Sequence, residues 1–294
     1  MLADRGVVSV RGTEAHRFLQ SVITNDMDVL GAQPALHTGL LSPQGKILFD
    51  FFVVKTAGGF RLDVARDQAA ALAKRLTIYK LRADVQLSDV SDATVVMAVW
   101  DGEPWCFDSL AETTAVTDPR LAAMGLRIIT SKEFAASVAQ ATNGFDASLE
   151  DYHAHRIALG VPEGGRDYAF GDAFPHEALF DQLHGVSFTK GCYVGQEIVS
   201  RMEHRGTARK RIVPVESATP LPAAGTDIKA GDVTIGSLGS AAGSRGLALL
   251  RLDRVADFLA RGVPLTAGDA PLSVQIPSWA TFSLPAPDVQ SGPA

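Results

Sequence analysis

Lys190-Gly191-Cys192-Tyr193-Val194-Gly195-Gln196-Glu197 is the stretch on which the reading of this chain turns. A thiol stands two residues after an ammonium and next to an aromatic ring, with glycines at 191 and 195 that let the backbone turn tightly. Positive charge nearby favours the thiolate, the reactive and metal-binding form. Free cysteine is also among the most buried residue types, so the local residues leave two readings open. Cys192 is either a small core hydrophobe, the commoner case, or a reactive thiol on a polar loop.

The flanks narrow the chemistry. Arg201, Arg205, Arg209, Lys210 and Arg211, interrupted by Glu203 and His204, either receive a polyanion such as a glutamate tail or form a solvated face of a strand or loop. A zinc or iron site built wholly by the chain is not expected, because no CxxC pair and no His-x-x-x-His partner accompany Cys192. His153 and His155 lie two apart on a predicted helix and point in different directions. A cluster at Cys192 therefore needs ligands from other molecules. Glycine-rich phosphate loops are absent, and a Cys–His hydrolase using His184 or His204 is a weaker reading.

The chain has 294 residues, 46% apolar, with a net charge of −6, which predicts more than one packed unit and no basic field for nucleic acid or anionic lipid. Two cysteines, Cys106 and Cys192, argue for a reducing compartment without disulfides. Met1 to Val10 lacks the apolar core of a signal peptide, and no stretch has the apolar length of a membrane span. The expectation is a soluble, cytoplasmic protein that binds neither membrane nor nucleic acid directly.

Element patterns predict an α+β protein. Val7–Val10 reads as a strand, followed by a helix capped by Thr13 with Ala15, Phe18, Leu19 and Val22 on one side. Ala35–Leu41 and Lys46–Lys55 form a hairpin about Ser42-Pro43-Gln44-Gly45, and Phe60–Val64 is a further strand. A helix from Asp67 to about Lys80 and a strand over Val85–Val90 close this unit. Strands at Val95–Trp100 and Leu126–Thr130 and a helix after Ser131 suggest a second α+β unit, and a helix spans Ser148–Leu159. After Arg211, short apolar runs between Gly, Pro and Ser turns have the texture of a small all-β domain. The expected domains are residues 1–92 completed by about 146–208, then 93–145, a β-barrel over 209–284 and a disordered tail over 285–294.

The Lys190–Glu197 stretch matches the K-G-C-[FY]-x-G-Q-E segment of the YgfZ-type proteins, bacterial relatives of a mitochondrial iron–sulfur assembly factor. The resemblance continues through Phe18-Leu19-Gln20, Thr24-Asn25-Asp26, Leu41–Lys46 with Asp50-Phe51, Tyr79-Lys80-Leu81-Arg82, Arg156–Gly160 and Gly246–Arg251. It implies the fold of the glycine-cleavage T protein: a three-domain ring of two α+β units and a C-terminal barrel about a channel that holds tetrahydrofolate.

The same resemblance implies a folate-binding accessory protein that helps assemble or maintain four-iron clusters in client enzymes. Its partners would be cluster-assembly proteins and those clients. The T protein carries paired aspartates where this chain has Phe49 and Asp50, which tells against aminomethyl transfer and leaves Asp50 to bond the pterin. By resemblance Cys192 and Lys190 carry the chemistry, with Lys190 favouring the thiolate, and Asp50, Asn25, Arg156, Glu177, Tyr193, Gln196 and Glu197 serve the cofactor site or its loop. No resident metal is expected. A folate-dependent aminomethyl or methyl transferase, and a folate carrier or sensor without a cluster role, are the alternatives.

Overall fold

A computed structural model of the chain describes residues 1–101, 112–142, 144–206 and 208–287. Cys106 and most of the expected tail lie outside the described residues. Two compact units are present, Met1–Tyr152 with Leu183–Ile198, and His153–Gln182 with Val199–Ala294. These divisions differ from the boundaries expected above. The five-stranded and three-stranded sheets share the first unit, and 153–182 and 199–208 go with the barrel.

In the first unit β1 (Arg5–Arg11) leads into α1 (Ala15–Val22), which buries Ala15, Phe18, Leu19 and Val22, the stripe expected of a helix lying on a sheet. Thr13 does not cap it. Its hydroxyl donates to Asp84 Oδ2 at 2.7 Å, and Glu14 stands at the cap position instead. The strands β2 (Ala35–Leu41), β3 (Ile47–Thr56) and β4 (Gly59–Ala65) follow, then α2 (Ala69–Tyr79) and β5 (Gln86–Asp89). The antiparallel order is β2-β3-β4-β1-β5.

Both faces of β3 are covered, and this explains its long apolar run. Phe49, Phe51 and Val53 join Leu19, Val22, Leu72 and Leu76 in one core beneath α1 and α2. Burying each such aromatic or aliphatic side chain contributes about 1.5–3 kcal/mol. Alternation sends Asp50 and Phe52 to the opposite face. Next come β6 (Thr94–Val99), β7 (Thr114–Thr117) and β8 (Leu126–Ser131), ordered β6-β8-β7, with α3 (Ala135–Ala141) packing Val138 on Met97 and Ile128.

The helix α4 (Leu149–Ala158) stops at Gly160, whose φ of +76° is the left-handed conformation suited to a helix end. A further helix, α5 (Gln196–Arg205), begins inside the Cys192 stretch. It carries Arg201, which the sequence reading placed on a strand or loop. Five charged or histidine side chains among ten residues obscure its weak apolar stripe of Ile198, Val199 and Met202.

In the second unit β9 (Lys210–Glu216), β10 (Asp227–Ala230), β11 (Val233–Ala242), β12 (Arg245–Arg251), β13 (Leu265–Ala267) and β14 (Ala270–Val274) close into a barrel ordered β10-β11-β12-β9-β14-β13. Val213, Ile228, Leu238, Ala248 and Leu250 fill it, and α6 (Leu252–Ala260) adds Val255 and Phe258 to the same core. The all-β texture expected after Arg211 is thus a six-stranded barrel with one added helix.

Candidate functional site

Three sequence stretches that lie far apart meet in the first unit around Cys192. Lys190, only 7% exposed, donates from Nζ to the carbonyls of Gln20, Ile23 and Asn25 at 2.7, 2.8 and 2.7 Å. An ammonium has three N–H groups, and here three carbonyls from the last turn of α1 and the residues just after it take them. Lys190 therefore has no proton left to aim at the thiol. It is a staple that locks the loop to the α1 end. Burial lowers its pKa to about 8, while Asp26 and Asp28 act to raise it. Its Nζ also lies 5.3 Å from the centroid of the Tyr193 ring, whose hydroxyl burial pushes up to about 12.

Asn25 is equally occupied. Its amide donates to His37 O at 2.7 Å and His184 O at 2.6 Å, and its Oδ1 accepts from Asp26 N at 2.8 Å. Thr24 beside it donates to Gly185 O at 2.6 Å and accepts from Gly39 N at 2.8 Å. Thr24 and Asn25 thus tie α1, β2 and the segment entering the Cys192 loop together, and both amide protons of Asn25 are spent within the fold. Gln20, which sequence reasoning did not assign, completes the turn by donating to Asp26 and accepting from Met27 N.

The hairpin turn between β2 and β3 holds the other side of the loop. Gly195 has φ +84°, and a Cβ there would stand 2.6 Å from Ser42 O. Gly45 has φ +77°, and a Cβ there would meet Ile198 Cβ at 2.9 Å. Both positions need glycine for conformation and for space. Gln196 and Glu197 open α5, with Glu197 exposed in its first turn, where a carboxylate complements the helix N-terminus. Cys192 is a free cysteine and is exposed, which removes the reading of a buried core hydrophobe.

Asp50 is 9% exposed and pairs in register with Gly39, two residues along β3 from Phe52, which faces His37 across the ladder. The face it shares is strongly polar. The guanidinium carbons of Arg120 and Arg127 each lie 4.9 Å from the Phe52 ring centroid, and that of Arg5 lies 5.9 Å away. Arg5 Nε bonds Asp63 at 2.7 Å, Arg120 grips Asp118 at 2.8 and 3.0 Å, and Arg120 and Arg127 both reach the Tyr152 hydroxyl. Burial works to raise the Asp118 carboxyl, but the charges and hydrogen bonds of Arg120, with Arg127, outweigh it and hold the pKa at about 2. Burial, aided by Arg120, lowers His37 to about 3, so it is neutral. Phe49 packs into the helix-covered core on the other face.

Arg156 and Glu177 belong to the second unit. Arg156 is fully buried and donates to Asp167 Oδ2 at 2.6 Å, Ser240 Oγ at 2.6 Å and His153 Nδ1 at 3.0 Å, with Glu163 Oε2 3.2 Å away. Each guanidinium nitrogen has an internal partner, so Arg156, expected to serve the cofactor site, acts here as an internal clamp between α4 and β11. Glu177 accepts from Phe174 N at 2.9 Å and closes its own turn. The basic run does not form one patch. Arg201 is exposed on α5, while Arg211 makes a bidentate pair with Asp181 at 2.9 Å and stacks on Phe282.

A cavity of about 430 Å³ in this unit is lined by His176, Glu203, Arg209, Arg211, Asp253 and Phe282, among others. His176, Asp181 and Glu203 offer ligand atoms within 4.8 Å of one another. Arg211 on Asp181, and the 2.9 Å hydrogen bond between His176 and Glu203, occupy these groups within the fold, with a guanidinium where a cation would have to approach.

Residues 209–282 match the family described as CAF17, C-terminal beta-barrel domain. The human iron-sulfur cluster assembly factor IBA57, mitochondrial, is 34% identical over 302 residues, spanning 95% of this chain and 84% of the relative. The mouse protein of the same name is 35% identical over 286 residues, spanning 86% and 77%. The crystal structure of glycine cleavage system aminomethyltransferase T from Bartonella henselae superposes with a TM-score of 0.75 at 17% identity, covering 95% of this chain and 85% of that one, which establishes the fold. The expectation of a cytoplasmic protein is overturned, because these relatives are named as mitochondrial. A two-cysteine composition suits any reducing compartment and does not distinguish among them. Among the described residues no helix is long and apolar enough to cross a membrane.

Proposed function

The chain belongs to the iron–sulfur cluster assembly factor IBA57 family, and from that premise we propose that it assists cluster assembly through the exposed thiol of Cys192, with tetrahydrofolate bound beside Asp50. The observation that carries this reading is the way Lys190, Gly45 and Gly195 hold the loop in place while leaving Cys192 exposed. A preorganised loop presents a thiolate to a cluster held by another protein without having to order at the moment of contact. The cluster is cargo. The chain supplies one soft ligand, and its partner supplies the remainder.

The residues on the polar face of the first sheet fit a pterin. Asp50 is a buried carboxylate, and a pterin offers amino and ring N–H donors to such an acceptor. When bound, a reduced folate supplies a one-carbon carrier. What this chain contributes is the buried acceptor and a face kept polar by Arg5, Arg120 and Arg127. Phe49, buried in the apolar core where the T protein carries a second aspartate, favours assembly over aminomethyl transfer. Arg156 and Asn25, whose donors are spent inside the fold, are not included among the folate contacts.

The test has two arms. Cys192→Ala should leave the fold intact while the activity of four-iron client enzymes falls in cells relying on this protein; undiminished client activity would reject the thiol role. Titration with tetrahydrofolate should show saturable binding that Asp50→Ala weakens by about tenfold or more, the loss of one charge-assisted hydrogen bond. No binding by the unaltered protein would reject the cofactor.

A further inference from the structure

Tyr79-Lys80-Leu81-Arg82, at the end of α2, divides into two residues that serve the fold and two that do not. Tyr79 packs against the core under α2, and Lys80 Nζ donates to Val85 O at 2.6 Å, closing the loop into β5. Leu81 is 86% exposed with φ +50°, and Arg82 is exposed beside it. A residue just past a helix end in the left-handed conformation is most often glycine, because a Cβ is strained there. Leucine at this position bears the left-handed backbone and the exposure together.

The surroundings make a coherent patch. Ile78, 59% exposed, lies one turn back on α2, and Lys74 and Arg75 are exposed a turn before that. No acidic residue occurs in α2. Asp84, the nearest acid along the chain, is tied to Thr13, which bonds it from both Oγ1 and N. An apolar knob ringed by Lys74, Arg75 and Arg82 therefore projects from a protein whose net charge is −6.

We propose that Ile78 and Leu81, with Lys74, Arg75 and Arg82, form a docking surface for an acidic protein partner that has an apolar pocket for Leu81. A partner that buries the projecting Leu81 side chain removes its apolar surface from water. The cations set the partner's charge by complementarity and speed its approach. A projecting side chain with a cationic rim matches a pocket with an acidic rim, whereas two aliphatic side chains offer little area for insertion into lipid. This surface is separate from the Cys192 loop, and its role does not depend on folate binding or on the thiol.

The full-length chain carrying Ile78→p-benzoylphenylalanine is irradiated in cells, and the adducts are identified by mass spectrometry. The expected result is a dominant adduct with one acidic protein. Arg75→Glu with Arg82→Glu should lower its yield by roughly tenfold, as should Leu81→Gly. Leu81→Gly should meanwhile raise the melting temperature by about 2 °C, because the glycine relieves the backbone strain. Adducts no more abundant than those from the same probe at exposed Val233, or insensitive to charge reversal, would overturn the proposal. So would sedimentation of the purified protein with phosphatidylserine vesicles that is lost in the charge-reversed variant, which would assign the patch to lipid. A lower melting temperature for Leu81→Gly would show that the leucine serves the fold, and would overturn it as well.

Discussion

At the residue scale, Lys190 and Cys192 stand two positions apart in one stretch yet do different work. Lys190 satisfies three carbonyls from within the fold, whereas Cys192 faces solvent. Lys190→Met should cost about 3 kcal/mol, because it removes charge-assisted bonds and leaves buried carbonyls without donors. Lys190→Arg should not rescue it, since a planar fork does not converge on three acceptors around one nitrogen. Urea denaturation distinguishes these outcomes, and unchanged stability in Lys190→Met would refute the staple. Cys192→Ser should shift stability by less than about 0.5 kcal/mol, as expected of an exposed position. The stretch was legible as unusual, but the partners of Lys190 were not. They lie between 165 and 170 residues away, and no local spacing encodes them.

At the scale of elements, the contact between the β2–β3 turn and the segment entering α5 rests on two glycines that look alike in sequence to their neighbours. Gly195→Ala should destabilise by about 2 kcal/mol or more, since the new methyl would lie 2.6 Å from Ser42 O in a left-handed backbone. Gly191→Ala, with nothing within 4 Å of its Cβ position, should be close to neutral. Thermal melts of the two variants form a matched pair, and equal losses would refute the assigned contact. Strands and amphipathic helices were well anticipated, β2 to the residue and α1 by its buried face, because period and turn chemistry are local. Missed were β7, only four residues long, α5, with its weak apolar stripe, and α6, which follows β12 without a turn signal.

At the scale of the whole molecule, buried titratable groups make stability depend on pH. His37 has a folded pKa of about 3, below its ordinary 6.5, so below pH 6.5 the unfolded chain binds a proton that the folded chain refuses. Stability should therefore be full above pH 6.5 and fall as pH drops towards 3, by about 2 kcal/mol at pH 5. His37→Asn should flatten that slope, and an equally steep slope in the variant, measured by urea denaturation at pH 7 and pH 5, would refute the assignment. Arg156→Met should cost about 3–5 kcal/mol by stranding Asp167 and Glu163, seen as loss of the barrel unit's thermal transition. Sequence by itself determined the α+β elements, the barrel texture and the stretch around Cys192, because apolar period, turn residues and rare motifs are written within a few residues of one another. Only the tertiary structure decided that Lys190 and Arg156 are internal clamps, that Cys192 is exposed and that Leu81 projects. The physical reason is that burial and hydrogen-bond partners are set by which distant segments the fold brings together, and a charged side chain reads the same in sequence whether it meets water or a carbonyl.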